Sequence, residues 1–101
     1  MRKHKTWSEI RDEGLRRPAA RRAYDDARLA HEIGRQVREL REAEGLSQAE
    51  LARRMATTQS VVARLEAGGT KPTLRTLERV AMALHVRVHV QLNKTRSAAA
   101  S

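Results

Sequence analysis

The sequence predicts an all-α fold of short helices, with one alternating segment near the C-terminus, and three observations carry that expectation. Apolar residues recur three or four positions apart in stretch after stretch, the spacing of one helical face. Residues that start helices precede these stretches and glycines close them. Alternation of apolar and polar residues, the mark of a strand, occurs in a single segment, His85 to Leu92.

The first helical stretch follows a basic tail, Met1 to Lys5. Thr6-Trp7-Ser8-Glu9 fits a capping box, with Thr6 as N-cap and Glu9 reaching back, and predicts a short helix over about Trp7 to Leu15. Pro18 ends that helix and suits the first turn of the next. From Ala19 onward, Ala23, Ala27, Ala30, Ile33, Val37 and Leu40 form one stripe. Gly34 lies inside it at a cost of about 1 kcal/mol relative to alanine, so the stretch reads as one long helix or as two joined near His31 to Gly34. Gly45 is the expected stop.

Ser47-Gln48-Ala49-Glu50 is a second capping box, opening a helix to about Met55 that turns Leu51, Ala52 and Met55 inward. Thr57 or Thr58 caps the next, which ends at Gly68 or Gly69. After Lys71-Pro72-Thr73, the residues Leu74, Leu77, Val80, Ala81 and Leu84 form a further apolar face. Val86, Val88, Val90 and Leu92 then alternate with polar residues. A lone strand leaves its edge unpaired, so this one is expected to pair with a second copy across a two-fold axis; the competing reading is a frayed, extended tail. Asn93 to Ser101 is expected to be disordered.

A chain of 101 residues makes one compact domain and little more. It has no cysteine, which excludes disulfides and thiolate metal sites and suits a reducing cytoplasm. No apolar run approaches the roughly 18 residues of a membrane span, and no signal peptide is legible. The net charge is +9, unevenly spread: nine Lys/Arg against five Asp/Glu in residues 1–30, six against six in 31–70, six against one in 71–101. A basic chain attracts polyanions, nucleic acid above all; arginine-heavy codon usage is the bland alternative. Catalysis finds no support. His4, His31, His85 and His89 are scattered, and on a strand the last two would stand about 13 Å apart, too far for a shared ion. No phosphate-binding glycine loop or nucleophile elbow occurs, and no cofactor or metal is expected.

The stretch SQAELARRMATTQSVVARLEAG, Ser47 to Gly68, joins two stubby helices through a few small residues. The first is too short to stand without packing, and Ala52 lets a second helix approach it. The second puts Val61, Val62 and Leu65 on one side and Gln59, Ser60, Ala63, Arg64 and Ala67 on the other. A polar, small-residue face of this kind fits a major groove, where Gln reads adenine and Arg reads guanine.

Gln48 to Leu65 resembles the helix-turn-helix of the Cro/cI-type (XRE) repressors, on the strength of Gln48, Ala52, Val62, Leu65 and the closing Glu66-Ala67-Gly68. The likeness extends over about Ile33 to Leu84 and implies a five-helix, lambda-repressor-like bundle. One departure is Ala56, where the family usually has glycine because φ is often positive; alanine there costs roughly 1 kcal/mol or reshapes the turn. By resemblance, Gln48 anchors the DNA backbone, Thr57, Thr58, Gln59, Ser60 and Arg64 face base edges or phosphates, and Ala63 and Ala67 touch thymine methyls. Glu66 lies behind that face and reads as structural.

The flanks are similar to HigA-type antitoxins, which repress their own operon and bind a small ribonuclease toxin of the RelE/HigB fold. That resemblance implies a helical arm over residues 1–30 with Trp7, Ile10, Leu15 and Tyr24 as apolar anchors for the toxin, a DNA-binding domain over 31–84, and a dimerisation strand over 85–92 built on Val86, Val88, Val90 and Leu92. The arm is basic, as such toxins tend to be, so Glu9, Asp12, Glu13, Asp25 and Asp26 would have to meet the toxin's cations. The expected chain is a cytoplasmic homodimer on operator DNA. The alternatives are a stand-alone repressor without a toxin, and an interaction module that has lost DNA binding.

Overall fold

Pro18 opens the first helix, as its fixed φ and missing N–H favour. The computed structural model describes residues 17–95, and four helices occur among them: α1 (Pro18–Ala43), α2 (Gln48–Arg54), α3 (Gln59–Glu66) and α4 (Leu74–Leu84). The expected helix over Trp7 to Leu15, and the anchors Trp7, Ile10 and Leu15, lie outside the described residues.

The core is small and aliphatic. Val37 of α1, Leu51, Ala52 and Met55 of the α2 region, Val62 and Leu65 of α3, and Val80, Ala83 and Leu84 of α4 are buried together, with Ile33 and Leu46 packed against them. Leu51, Val62 and Leu84 are wholly shielded from solvent. Helices this short hold only because that shared core holds them.

Ser47, Thr58 and Thr73 cap the three later helices, each accepting a backbone N–H from three residues ahead. At Ser47 the box closes in both directions: the Glu50 N–H donates to Ser47 Oγ and the Ser47 N–H to Glu50 Oε1, both at 3.0 Å. The Ser47 backbone N–H, and after it the Ser47 hydroxyl, hold the Glu50 carboxyl below its ordinary pKa.

All four helices also end alike. A residue in the left-handed region follows each, Gly45 (φ 71°), Ala56 (φ 55°), Gly68 (φ 75°) and His85 (φ 57°). The next N–H then reaches back over a full turn, from Leu46 to Arg41 O (3.1 Å), Thr57 to Ala52 O (2.9 Å), Gly69 to Arg64 O (2.9 Å) and Val86 to Ala81 O (2.9 Å). So the turn at Ala56 keeps its left-handed form, and the alanine carries the strain.

Several expectations are corrected. α1 is the continuous helix of the two alternatives, and its inward stripe keeps Ala30, Ile33 and Val37, gains Gly34 and Arg41, and loses Ala23, Ala27 and Leu40. Ala23 and Ala27 are exposed because none of the described residues covers the first turns of α1, and Leu40 is turned outward. Gly34 is there for space: a Cβ would stand 2.5 Å from Leu65 O and 2.6 Å from Glu66 O. Val61 and Leu74, expected inside, are exposed, while Ala83 joins the core.

The five-helix count and the C-terminal strand are not supported. Residues 86–95 contain neither helix nor strand. His85 turns the chain out of α4, and the branched Val86, Val88 and Val90 are poor helix formers. A strand exists only as part of a ladder, and no second strand occurs among the described residues. Val86, Val90 and Leu92 are therefore exposed, with Val88 half-buried. No described helix is long and apolar enough to cross a membrane.

Candidate nucleic-acid interface

α3 lies across α2 and α1 with Val62, Leu65 and Glu66 turned inward. Successive residues advance about 100° around a helix, so Ser60, Arg64 and Ala67 lie opposite that buried edge. All three are exposed, and Gln59 is exposed and Ala63 half-buried on the flank. Val61 is exposed on the other flank, adding an aliphatic group that the periodicity had placed inside. The side chains of Gln59, Ser60 and Arg64 make no hydrogen bond or ion pair with another described residue, so their donors and acceptors are available to an outside partner.

The two threonines of the turn differ. Thr58 is the cap, accepting from the Val61 N–H at 3.3 Å, and is exposed; Thr57 is half-buried. The first-turn N–H groups that the cap leaves unpaired point along the axis out of the helix start, an end that favours an anion.

Behind the face lies a buried polar network. Glu66, only 4% exposed, accepts from Arg41 Nε (2.6 Å), Arg41 Nη2 (3.0 Å) and Gln48 Nε2 (3.1 Å). Arg41 Nη1 also donates to Leu46 O at 2.7 Å. A forked arginine–carboxylate pair is strong and directional, and the Glu66 hydrogen bonds raise the pKa of Arg41 above its ordinary value. The network ties α1, the start of α2 and the end of α3 into one unit. Gln48, expected as a DNA-backbone anchor, is half-buried and spends one amide N–H on Glu66; its second amide N–H is the donor left for a phosphate. Glu66 is structural, as expected. Its partner Arg41 was missed, although the seven-residue step from Gly34 marks it as inward-facing.

Two further clamps join α2 to α4. Arg54 Nη1 donates to Ala83 O at 3.2 Å, and Arg79 donates to the Met55 and Ala56 carbonyls at the strained turn. These arginines are structural, although their charge reads the same as Arg64 in a sequence. Tyr24, the one expected arm anchor within the described residues, is half exposed. His31, His85 and His89 are exposed, and no cluster able to hold a metal occurs among the described residues.

Comparison with known proteins places this geometry. A family model described as helix-turn-helix matches residues 37–90. Among solved structures, the chain is similar to the restriction-modification controller protein C.AhdI from Aeromonas hydrophila, at 33% sequence identity and a TM-score of 0.60, over 62% of this chain and 91% of that one. No curated protein sequence matches the chain.

Proposed function

The chain belongs to the helix-turn-helix family, and on that footing we propose that it is a DNA-binding transcriptional regulator that grips an operator as a homodimer. The observation that carries the reading is the outward face of α3: Gln59, Ser60 and Arg64 are exposed and uncommitted, on a helix whose back is locked by Glu66, Arg41 and Gln48. In a major groove Arg64 pairs with guanine and Gln59 with adenine. Thr57, Thr58, Ser60 and the α2 start at Gln48 contact phosphates or base edges, and Ala63 lies against a thymine methyl. The likeness to Cro/cI-type repressors over Gln48 to Leu65 falls within the span that the family model matches, and the solved relative is itself named a controller protein.

Dimerisation is assigned to the C-terminal side. Leu74, Met82, Val86 and Val90 are exposed together around a groove of about 570 Å³ between α4 and the following segment. Met82 is 81% exposed, a surplus of apolar surface that a second copy would cover. Val86, Val88 and Val90 then contribute as side chains lining this groove, with Leu92 exposed beyond it.

A second reading, toxin neutralisation by an antitoxin of HigA type, is favoured by the arm. The first turns of α1 stand clear of the core, with Tyr24 50% and Leu29 58% exposed. A helix end that none of the described residues covers is marginal alone and gains from a partner. The arm over residues 1–30 and the domain over 31–84 share α1, which runs unbroken across the boundary. The experiment is a pull-down of the tagged chain from its host, washed at high salt to strip polyanions. A stoichiometric small protein, lost on deleting residues 1–17, supports the antitoxin; a bare homodimer supports the stand-alone regulator.

A further inference from the structure

The ends of α2 and α4 are joined by two arginines that reach across in opposite directions. Arg54, the last residue of α2, donates from Nη1 to Ala83 O of α4 at 3.2 Å. Arg79, on α4, donates from Nη2 to the Met55 and Ala56 carbonyls just past α2. Each satisfies carbonyls that a helix end leaves open, and each spends a single nitrogen on that task. A guanidinium carries donors on all its nitrogens, so most of both forks is unspent. Neither arginine forms an ion pair with a described carboxylate. Both line one groove of about 440 Å³, with His85, Met55, Ala56 and Met82 beside them, and no aspartate or glutamate lines it. Two like charges in one groove without a counter-ion repel one another, and an anion placed between them removes that repulsion.

We propose that this groove binds a small organic anion, a carboxylate or phosphoryl group carried on a short apolar body. The oxyanion takes the unspent donors of Arg54 and Arg79, since paired N–H···O bonds are the geometry that a guanidinium fork favours. The exposed imidazole of His85 supplies a further nitrogen at the same wall. Met82 and the small Ala56 give the apolar body a surface, and the volume lies within the range of small-molecule sites, roughly 300–1,000 Å³. Both forks are anchored to backbone carbonyls before any ligand arrives, so little side-chain freedom is lost on binding. The groove shares no residue with the outward face of α3, and the proposal stands apart from the DNA-binding reading.

The test is a nuclear magnetic resonance titration of the isotope-labelled full chain with phenyl phosphate, benzoate and phenol, which share one apolar body. The two anions are expected to shift the Arg54 and Arg79 Nε–H signals and the Ala56 and His85 amides saturably, at about millimolar concentration. Phenol is expected to leave them in place, and the tighter of the two anions identifies the preferred oxyanion. Ala56→Asp puts a carboxylate on the groove wall, in a backbone conformation that Asp and Asn tolerate, and leaves both arginines intact. It is expected to weaken binding about tenfold, while Ala56→Asn stays within about twofold of the parent. Arg53→Gln removes the same charge as Arg54→Gln but lies about 100° around α2; Arg54→Gln alone is expected to weaken binding. Equal losses in those two variants, equal binding by Ala56→Asp and Ala56→Asn, or no saturable shift with either anion would overturn the proposal. So would displacement of phenyl phosphate by a random-sequence DNA duplex that shifts the same signals, which would make the groove a DNA contact. None of these results bears on α3 as the DNA reader. Arg53, Arg54 and Ala56 are exposed, and far-UV circular dichroism checks that each variant folds.

Discussion

Arg64 is the residue on which the proposed recognition turns. It is exposed, uncommitted and at the centre of the outward face of α3. Replacing it with alanine is expected to cost about 1–3 kcal/mol of operator binding and to relax one base position, as read by titration against a set of single-base operator variants. Two other residues govern stability. Ala56 sits at φ 55°, where a Cβ is penalised by roughly 1–2 kcal/mol, so Ala56→Gly is expected to raise the urea midpoint by about 1 kcal/mol in stability with operator affinity unchanged. Glu66 is the reverse case. Glu66→Ala leaves the part-buried Arg41 and Gln48 without their acceptor, and a loss of about 3 kcal/mol is expected. All three are marked in the sequence by their place in the motif, and φ, burial and direction give the physical reason at each.

The helices themselves were legible where local chemistry decides them. Pro18, the Ser47–Glu50 box, the Thr58 and Thr73 caps and the closing Gly45 and Gly68 sit where the sequence placed them, because capping needs only neighbours in the chain. Two elements were not legible. Gly34 looked like a weakness and is a contact point, which depends on a helix about 30 residues away in sequence. The strand over 85–92 was inferred from alternation, but a strand needs a partner that this chain does not contain among the described residues. Gly34→Ala tests the contact: the helix gains propensity, yet α1 and α3 must separate against backbone carbonyls. Thermal or urea unfolding is expected to show a net loss of about 1–2 kcal/mol. The Ser47 box has a pH signature. The folded pKa of Glu50 is depressed, so its contribution is complete above the ordinary carboxylate range and is lost as the pH falls through the folded value. Glu50→Gln is therefore expected to flatten the acid limb of the stability profile.

Assembled, the molecule offers three separate surfaces: the α3 face, the exposed start of α1, and the apolar groove of α4 with its trailing segment. Met82→Glu, a charge at the most exposed part of that groove, is expected to yield a monomer by sedimentation at concentrations where the parent is a dimer, and to weaken operator binding because two half-sites are no longer gripped together. The resemblance of the sequence to repressors concerns the first surface, where groove recognition would constrain residue type as well as position. The other two surfaces are ones that none of the described residues covers, which depends on the packing and not on local sequence. The central claim is that α3 reads base sequence. The measurement that tests it most directly is selection of bound duplexes from a randomised pool, run in parallel on the parent and Arg64→Ala. The account predicts that the parent enriches an inverted repeat with half-sites about one helical turn apart, and that Arg64→Ala loses the preference at one position in each half-site. Enrichment of no sequence by the parent, or of the same motif at equal strength by both proteins, would contradict it.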